Sequence, residues 1–152
     1  MSAVSDFNFM SKEWPKSVRI FTDGASRGNP GPASIGVYIL HQENEEVVAK
    51  LGEYLGERTN NFAEYRAVVR AFEISFSAGA QELAFFSDSQ LLVQQLNGVY
   101  KVKSENIRPL FEECQIWQKK FQKVTYTHVR REFNKESDRL ANLALDAQYF
   151  SS

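Results

Sequence analysis

One cysteine, two histidines and four prolines are spread through 152 residues, and charge of neither sign is in excess. Each scarcity excludes something. Cys114 has no second cysteine to pair with, so a disulfide-stapled miniprotein is ruled out and a reducing, cytoplasmic setting is expected. His41, His128 and Cys114 are the whole stock of nitrogen and sulfur side chains that zinc prefers, which turns attention to oxygen ligands. No apolar run approaches the ~20 residues of a membrane span, and the first residues lack the charged-then-apolar pattern of a signal peptide. A membrane partner is therefore not expected. The formal net charge is −1, so no global positive field draws in a polyanion. Such a partner has to be held by local basic clusters or through bound cations. Nothing in the pattern suggests an obligate dimer, and a monomer is expected.

What remains is the composition of an ordinary globular domain, 43% hydrophobic and 24% charged. Residues 1–17 lack periodicity and read as a loosely ordered leader ending near Pro15; residues 18–150 read as one domain. Val18–Asp23, Ile35–His41 and Val47–Gly56 are β-rich runs with tight spacing, which suggests an antiparallel meander. GASRGNPGP between the first two is a turn or loop by composition. Apolar residues then recur at three- and four-residue steps over Asn61–Ser77, predicting a helix ended by Gly79. Glu82–Ser87 reads as a buried strand and Ser89–Leu96 as a short helix closed by Asn97–Gly98. Ile107, Leu110, Phe111, Cys114, Trp117 and Phe121 share one face of a further helix. Val124–Val129 is the last strand. Glu136–Gln148 is the last helix, with Leu140, Leu143 and Ala144 facing inward.

Four acids stand at element junctions. Asp23 follows VRIFT, Glu64 lies at the start of NFAEYRAVV, Asp88 follows ELAFFS, and Asp138 is in the first turn of the last helix. Each has a structural reading as well: Asp88 as a helix cap, Asp23–Gly24 as a turn, Glu64 and Asp138 as complements to a helix dipole. Carboxylates converging from strand ends would repel one another and raise each other's pKa unless a cation sat among them. Hard oxygen ligands would select Mg²⁺ or Mn²⁺.

The words around these acids, TDGASRGNPGPAS, TNNFAEYRAV, FSDSQLLVQQLNG and HVRREFNKESDRLANLA, occur in an order that resembles type 1 ribonuclease H over roughly residues 18–147. The resemblance implies a ribonuclease H-like α/β fold, with three antiparallel strands and two further strands forming a five-stranded mixed sheet flanked by helices. It implies an endonuclease that hydrolyses the RNA strand of an RNA–DNA hybrid and leaves 5′-phosphate and 3′-hydroxyl ends. Asp23, Glu64, Asp88 and Asp138 would hold two Mg²⁺ or Mn²⁺ ions. Gly24, Ala25, Ser26 and Asn29 would approach the RNA strand, while Asn60, Asn61 and Gln90 would contact the hybrid. Glycine leaves room for peptide groups near a 2′-hydroxyl, and amide side chains both donate and accept hydrogen bonds. The Asn60–Asn61 pair also fits a helix cap and turn.

The sequence departs from many members of that family in three ways. NGVYKVKSENIRPL is too short for a full basic handle, although Lys101, Lys103 and Arg108 supply charge that could meet DNA phosphates. Residues 98–135 hold nine Lys and Arg against four Glu, the kind of local excess that phosphate contacts require and solvated faces also show. His128 lies in a β-rich run without a nearby glycine, so it reads as a strand histidine, and Arg131 becomes the candidate for a phosphate or leaving-group contact. No hybrid-binding module is recognisable ahead of residue 18. Two other functions compete: a non-cleaving nucleic-acid-binding module of the same fold, and a DNA-directed nuclease of the integrase or resolvase type.

Overall fold

The computed structural model describes residues 14–151. In chain order the elements are β1 (Ser17–Ser26), β2 (Gly31–His41), β3 (Val47–Arg58), α1 (Asn60–Ser77), β4 (Glu82–Ser87), α2 (Gln90–Leu96), α3 (Arg108–Gln118), β5 (Lys123–His128) and α4 (Lys135–Ser151). A single 3₁₀ turn, Arg131–Phe133, precedes α4. The strands form one mixed sheet in the order β3-β2-β1-β4-β5, antiparallel within β1–β3 and parallel from β1 through β4 to β5. This is the ribonuclease H-like α/β architecture the sequence implied, with the expected element order.

Several boundaries move. GASRGNPGP is mostly strand: Gly24, Ala25 and Ser26 pair with Ile35, Ser34 and Ala33, so only the residues between Ser26 and Gly31 turn. Ladder hydrogen bonds override local turn composition there, and the Ser26 hydroxyl adds a bond to the Arg58 carbonyl at 2.9 Å. Of the expected leader, residues 1–13 lie outside the described residues. Trp14 is buried with the core, and Ser17 opens β1. Phe121 falls beyond the end of α3 but still packs on Phe72, ring centroids 5.7 Å apart.

The inward face of α4 also differs from the expected one. Leu143 is exposed, while Ser137, Leu140, Ala141 and Leu145 are buried. Helical spacing alone allowed either stripe. The sheet beneath decides, because α4 packs across β1, β2 and β3 through Gly36 and Gly52. A Cβ on Gly36 would lie 1.8 Å from the Ser137 carbonyl oxygen, and one on Gly52 2.5 Å from that of Leu140. Helix α1 is buried on most of its circumference, between the sheet and α3, which explains its run of Ala67, Val68, Val69, Ala71 and Phe72.

Candidate active site

The β1–β4 ladder ends at Phe21 opposite Phe86. Asp23 and Asp88 each lie two residues beyond that last pair, where parallel strands part and leave a crevice at their carboxyl ends. Asp23 is not at a turn, since it remains paired with Gly36 of β2. Nor does Asp88 cap a helix: that role belongs to Ser89, whose hydroxyl accepts from the Leu92 N–H at 3.2 Å.

Glu64 comes from α1, one turn in rather than at its start, so the dipole reading does not hold for it. Gly24 brings it in. A Cβ on Gly24 would sit 2.3 Å from the backbone nitrogen of Glu64. The missing side chain is thus used first by α1, which presses directly on β1. One carboxylate oxygen from each of Asp23, Glu64 and Asp88 lies within 4.8 Å of the others. Asp138, exposed in the first turn of α4, is not one of these three, but its carboxyl faces Asp23 closely enough to raise the pKa of that residue.

Electrostatics mark this as an unbalanced cluster. Burial first, then the facing Asp138 carboxyl and the charges of Asp88 and Glu64, push the Asp23 carboxyl up to about 9. Burial likewise raises Glu64 to about 7, with Asp88 adding to the rise and a hydrogen bond from Ser89 opposing it. Among the ion pairs of the described residues, none includes any of the four acids. Carboxylate oxygens gathered without a lysine or arginine suit a hard divalent cation such as Mg²⁺ or Mn²⁺ and offer nothing that zinc prefers.

The remaining expected residues divide into two groups. Asn60 donates its N–H to the Asn29 side-chain oxygen at 3.0 Å, tying the β1–β2 loop to the start of α1. Neither Asn60 nor Asn61 is the cap, because Thr59 accepts from the Phe62 N–H. The Asn61 Oδ1 is buried without a hydrogen-bond partner. An open groove of about 630 Å³ runs past Asn61, lined also by Leu91, Tyr100, Lys101 and Lys103. Gln90 is exposed at the first position of α2. Arg108 is committed elsewhere, donating to the Val102 carbonyl at 2.8 Å. His128 is exposed at the end of β5, opposite Ser87, and Arg131 is exposed in the 3₁₀ turn.

Ser89 and Asn134 escaped the sequence reading. Asn134 is buried, donates Nδ2–H to the Thr22 carbonyl at 2.9 Å, and accepts the Ser137 hydroxyl at 2.8 Å. Its signal was there as an Asn just ahead of an acidic first helical turn, a cap pattern in NKESD.

A family model described as reverse transcriptase-like matches residues 21–144. The chain is 39% identical over 130 residues to bifunctional protein Rv2228c of Mycobacterium tuberculosis, covering 86% of this chain and 36% of that protein. Its structure is similar to that of RNase H1 from Halobacterium salinarum, with a TM-score of 0.83 at 37% identity, covering 86% of this chain and 98% of the other. The chain belongs to the type 1 ribonuclease H family. It spans about a third of the length of the mycobacterial relative. A further structural neighbour is LC11-RNase H1 in complex with an RNA/DNA hybrid, with a TM-score of 0.81 at 36% identity over 87% of this chain and 99% of that one. Among the described residues no helix is long and apolar enough to cross a membrane.

Proposed function

We propose that this protein hydrolyses the RNA strand of an RNA–DNA hybrid, with Asp23, Glu64, Asp88 and Asp138 holding two Mg²⁺ or Mn²⁺ ions, and leaves 5′-phosphate and 3′-hydroxyl ends. The observation that carries this reading is the three-carboxylate cluster, within 4.8 Å and free of basic partners, beside which the Asp138 carboxyl faces Asp23. The hybrid seen with the 36% identical LC11-RNase H1 supports the substrate. When bound, the cations supply polarisation of a water nucleophile and neutralise charge on the leaving 3′-oxygen.

The chain's own residues do the rest. Ser89 bonds Glu64 and so orients that carboxylate from the start of α2. Asn61 lines the groove, where its side-chain amide is suited to a 2′-hydroxyl, the group that distinguishes RNA from DNA. Gln90, exposed beside Ser89, is suited to the same duplex, as are the backbone of Gly24–Ser26 and the Asn29 loop. Lys101 and Lys103 line the groove that contains Asn61, which suits them to phosphates of the uncut strand. Arg131 is the candidate for a phosphate contact at the opposite edge, beside α4.

Incubation of purified protein with matched RNA–DNA, RNA–RNA and DNA–DNA duplexes tests this, with Mg²⁺ or Mn²⁺ and with chelator. The expected result is metal-dependent cutting of the RNA strand of the hybrid alone. Binding without cutting would favour the non-cleaving module, and cutting of DNA–DNA would favour the resolvase type.

A further inference from the structure

The four acids reach the site by different routes, and one of them lacks an obvious anchor. Asp23 is paired in the sheet, Asp88 directly follows the last residue of β4, and Glu64 is placed by the direct contact of α1 with Gly24. Asp138 rides on α4, which packs on the sheet through Leu140, Ala141 and Leu145. Apolar contacts of that kind are non-directional. They hold a helix against a sheet, whereas hydrogen bonds specify direction: the Ser34 hydroxyl donates to the Ala141 carbonyl at 2.5 Å and fixes the middle of α4, which leaves its first turn, with Asp138, to be set separately.

Asn134 supplies the direction. Its side-chain amide donates to the Thr22 carbonyl at 2.9 Å, and that carbonyl belongs to the peptide group whose nitrogen is Asp23's own. Its backbone carbonyl accepts the N–H of Asp138 at 3.3 Å. One residue, 1% exposed, therefore grips the backbone of both acids. Its Oδ1 is occupied by the Ser137 hydroxyl at 2.8 Å, which fixes the amide's orientation. We propose that Asn134 is a positioning residue that sets the placement of Asp138 against Asp23, and through it the affinity of the site for a divalent cation. This rests on the four acids acting as one cation site.

The test compares Asn134→Ala, Asn134→Ser, Ser137→Ala and Asp23→Asn by calorimetric titration with Mn²⁺, single-turnover hybrid cleavage and thermal melting. Serine is as good a helix cap as asparagine but too short to reach the Thr22 carbonyl, so it keeps α4 started if alanine does not. Both Asn134 variants should lose about 10- to 100-fold in Mn²⁺ affinity and in cleavage rate, the range for groups that orient ligands from behind. Hybrid KM should stay unchanged, because the duplex groove is untouched. Ser137→Ala should lower Tm and weaken Mn²⁺ affinity by less than either Asn134 variant, because it frees the amide to turn while leaving its donor in place. A lowered Tm with intact Mn²⁺ affinity in both Asn134 variants would overturn the proposal, as would an equal loss of affinity in Ser137→Ala. If Asp23→Asn abolishes Mn²⁺ binding and the Asn134 variants bind Mn²⁺ as tightly as the wild type, the proposal alone falls. If Asp23→Asn also binds Mn²⁺ normally, the four-acid reading falls with it.

Discussion

Asp23 and Gly24 are consecutive, yet they serve opposite faces of the sheet. Alternation along β1 turns Asp23 toward the face covered by α4, beside its cross-strand partner Gly36, and Gly24 toward the face covered by α1. On the α1 face a missing side chain on the acid's own strand admits Glu64. On the α4 face a missing side chain on the neighbouring strand admits the backbone of Ser137, one residue before Asp138. The first contact is closed by a long, mostly buried helix, and the second by a more exposed helix start tied to the backbone of β1 through Asn134. Two glycines thus bring two helices to one strand, and the acids they carry differ in how firmly they are held.

The largest effect should come from removing an acid on the firm side. Asp88→Asn should lower hybrid cleavage by about a thousandfold, ~4 kcal/mol of barrier, while the fold is kept. Normal cleavage by this variant would remove Asp88 from the site altogether. Replacing the glycines then separates the two faces. Gly24→Ala and Gly36→Ala each force a Cβ into backbone, and each should destabilise by about 1–3 kcal/mol or more in chemical denaturation. Activity should fall in both. Only in Gly24→Ala should added Mn²⁺ fail to restore it, because α1 has no slack with which to return Glu64.

Acidity sharpens the contrast at smaller amplitude. Asp23 and Glu64 titrate near 9 and near 7, against usual values of 3.8 and 4.5. Raised carboxyl pKa values stabilise the fold when protonated, so this contribution is full below about pH 4 and is lost as pH rises through about 7 and then about 9. In chelator, Asp23→Asn should therefore melt above the wild type near pH 9, and the two should converge toward pH 4. A gain of about 1–2 kcal/mol corresponds to roughly 2–8 °C in a domain of this size. Added Mg²⁺ should erase the difference by stabilising the wild type; a pH-independent gain would mean that the acids do not repel one another.

Smallest of all should be the effect of Lys101→Gln with Lys103→Gln, on the groove side away from α4. Hybrid affinity should weaken similarly for every sequence, and its salt dependence should flatten by about 0.9 for each phosphate that is no longer neutralised. Superimposable binding slopes over a range of KCl would mean that these lysines face only solvent.

Much of this molecule is legible in the chain alone. Periodicity yields the element order, because a two-residue alternation cannot be mistaken for a helical stripe over ten residues. The acids stand out because carboxylates rarely follow apolar strands such as VRIFT and ELAFFS without a reason. Asp88 could not be told from a cap by sequence, since capping depends on which of two adjacent side chains turns back onto the helix, and Ser89 does. Asn60 and Asn61 posed the same problem, and Thr59 resolved it.

By itself, then, the chain's pattern determined the order of strands and helices, and it marked Asp23 and Asp88 as acids that follow apolar strands. Those properties reside in local spacing and residue chemistry. Only the tertiary structure decided that Leu143 faces out, that Gly24 makes room for α1, and that Asn134 joins the peptide of Asp23 to the start of α4. Each of these is a contact between segments distant in the chain. Its sign depends on the shape of the surface that arrives opposite, and a window of neighbouring residues holds no record of that surface.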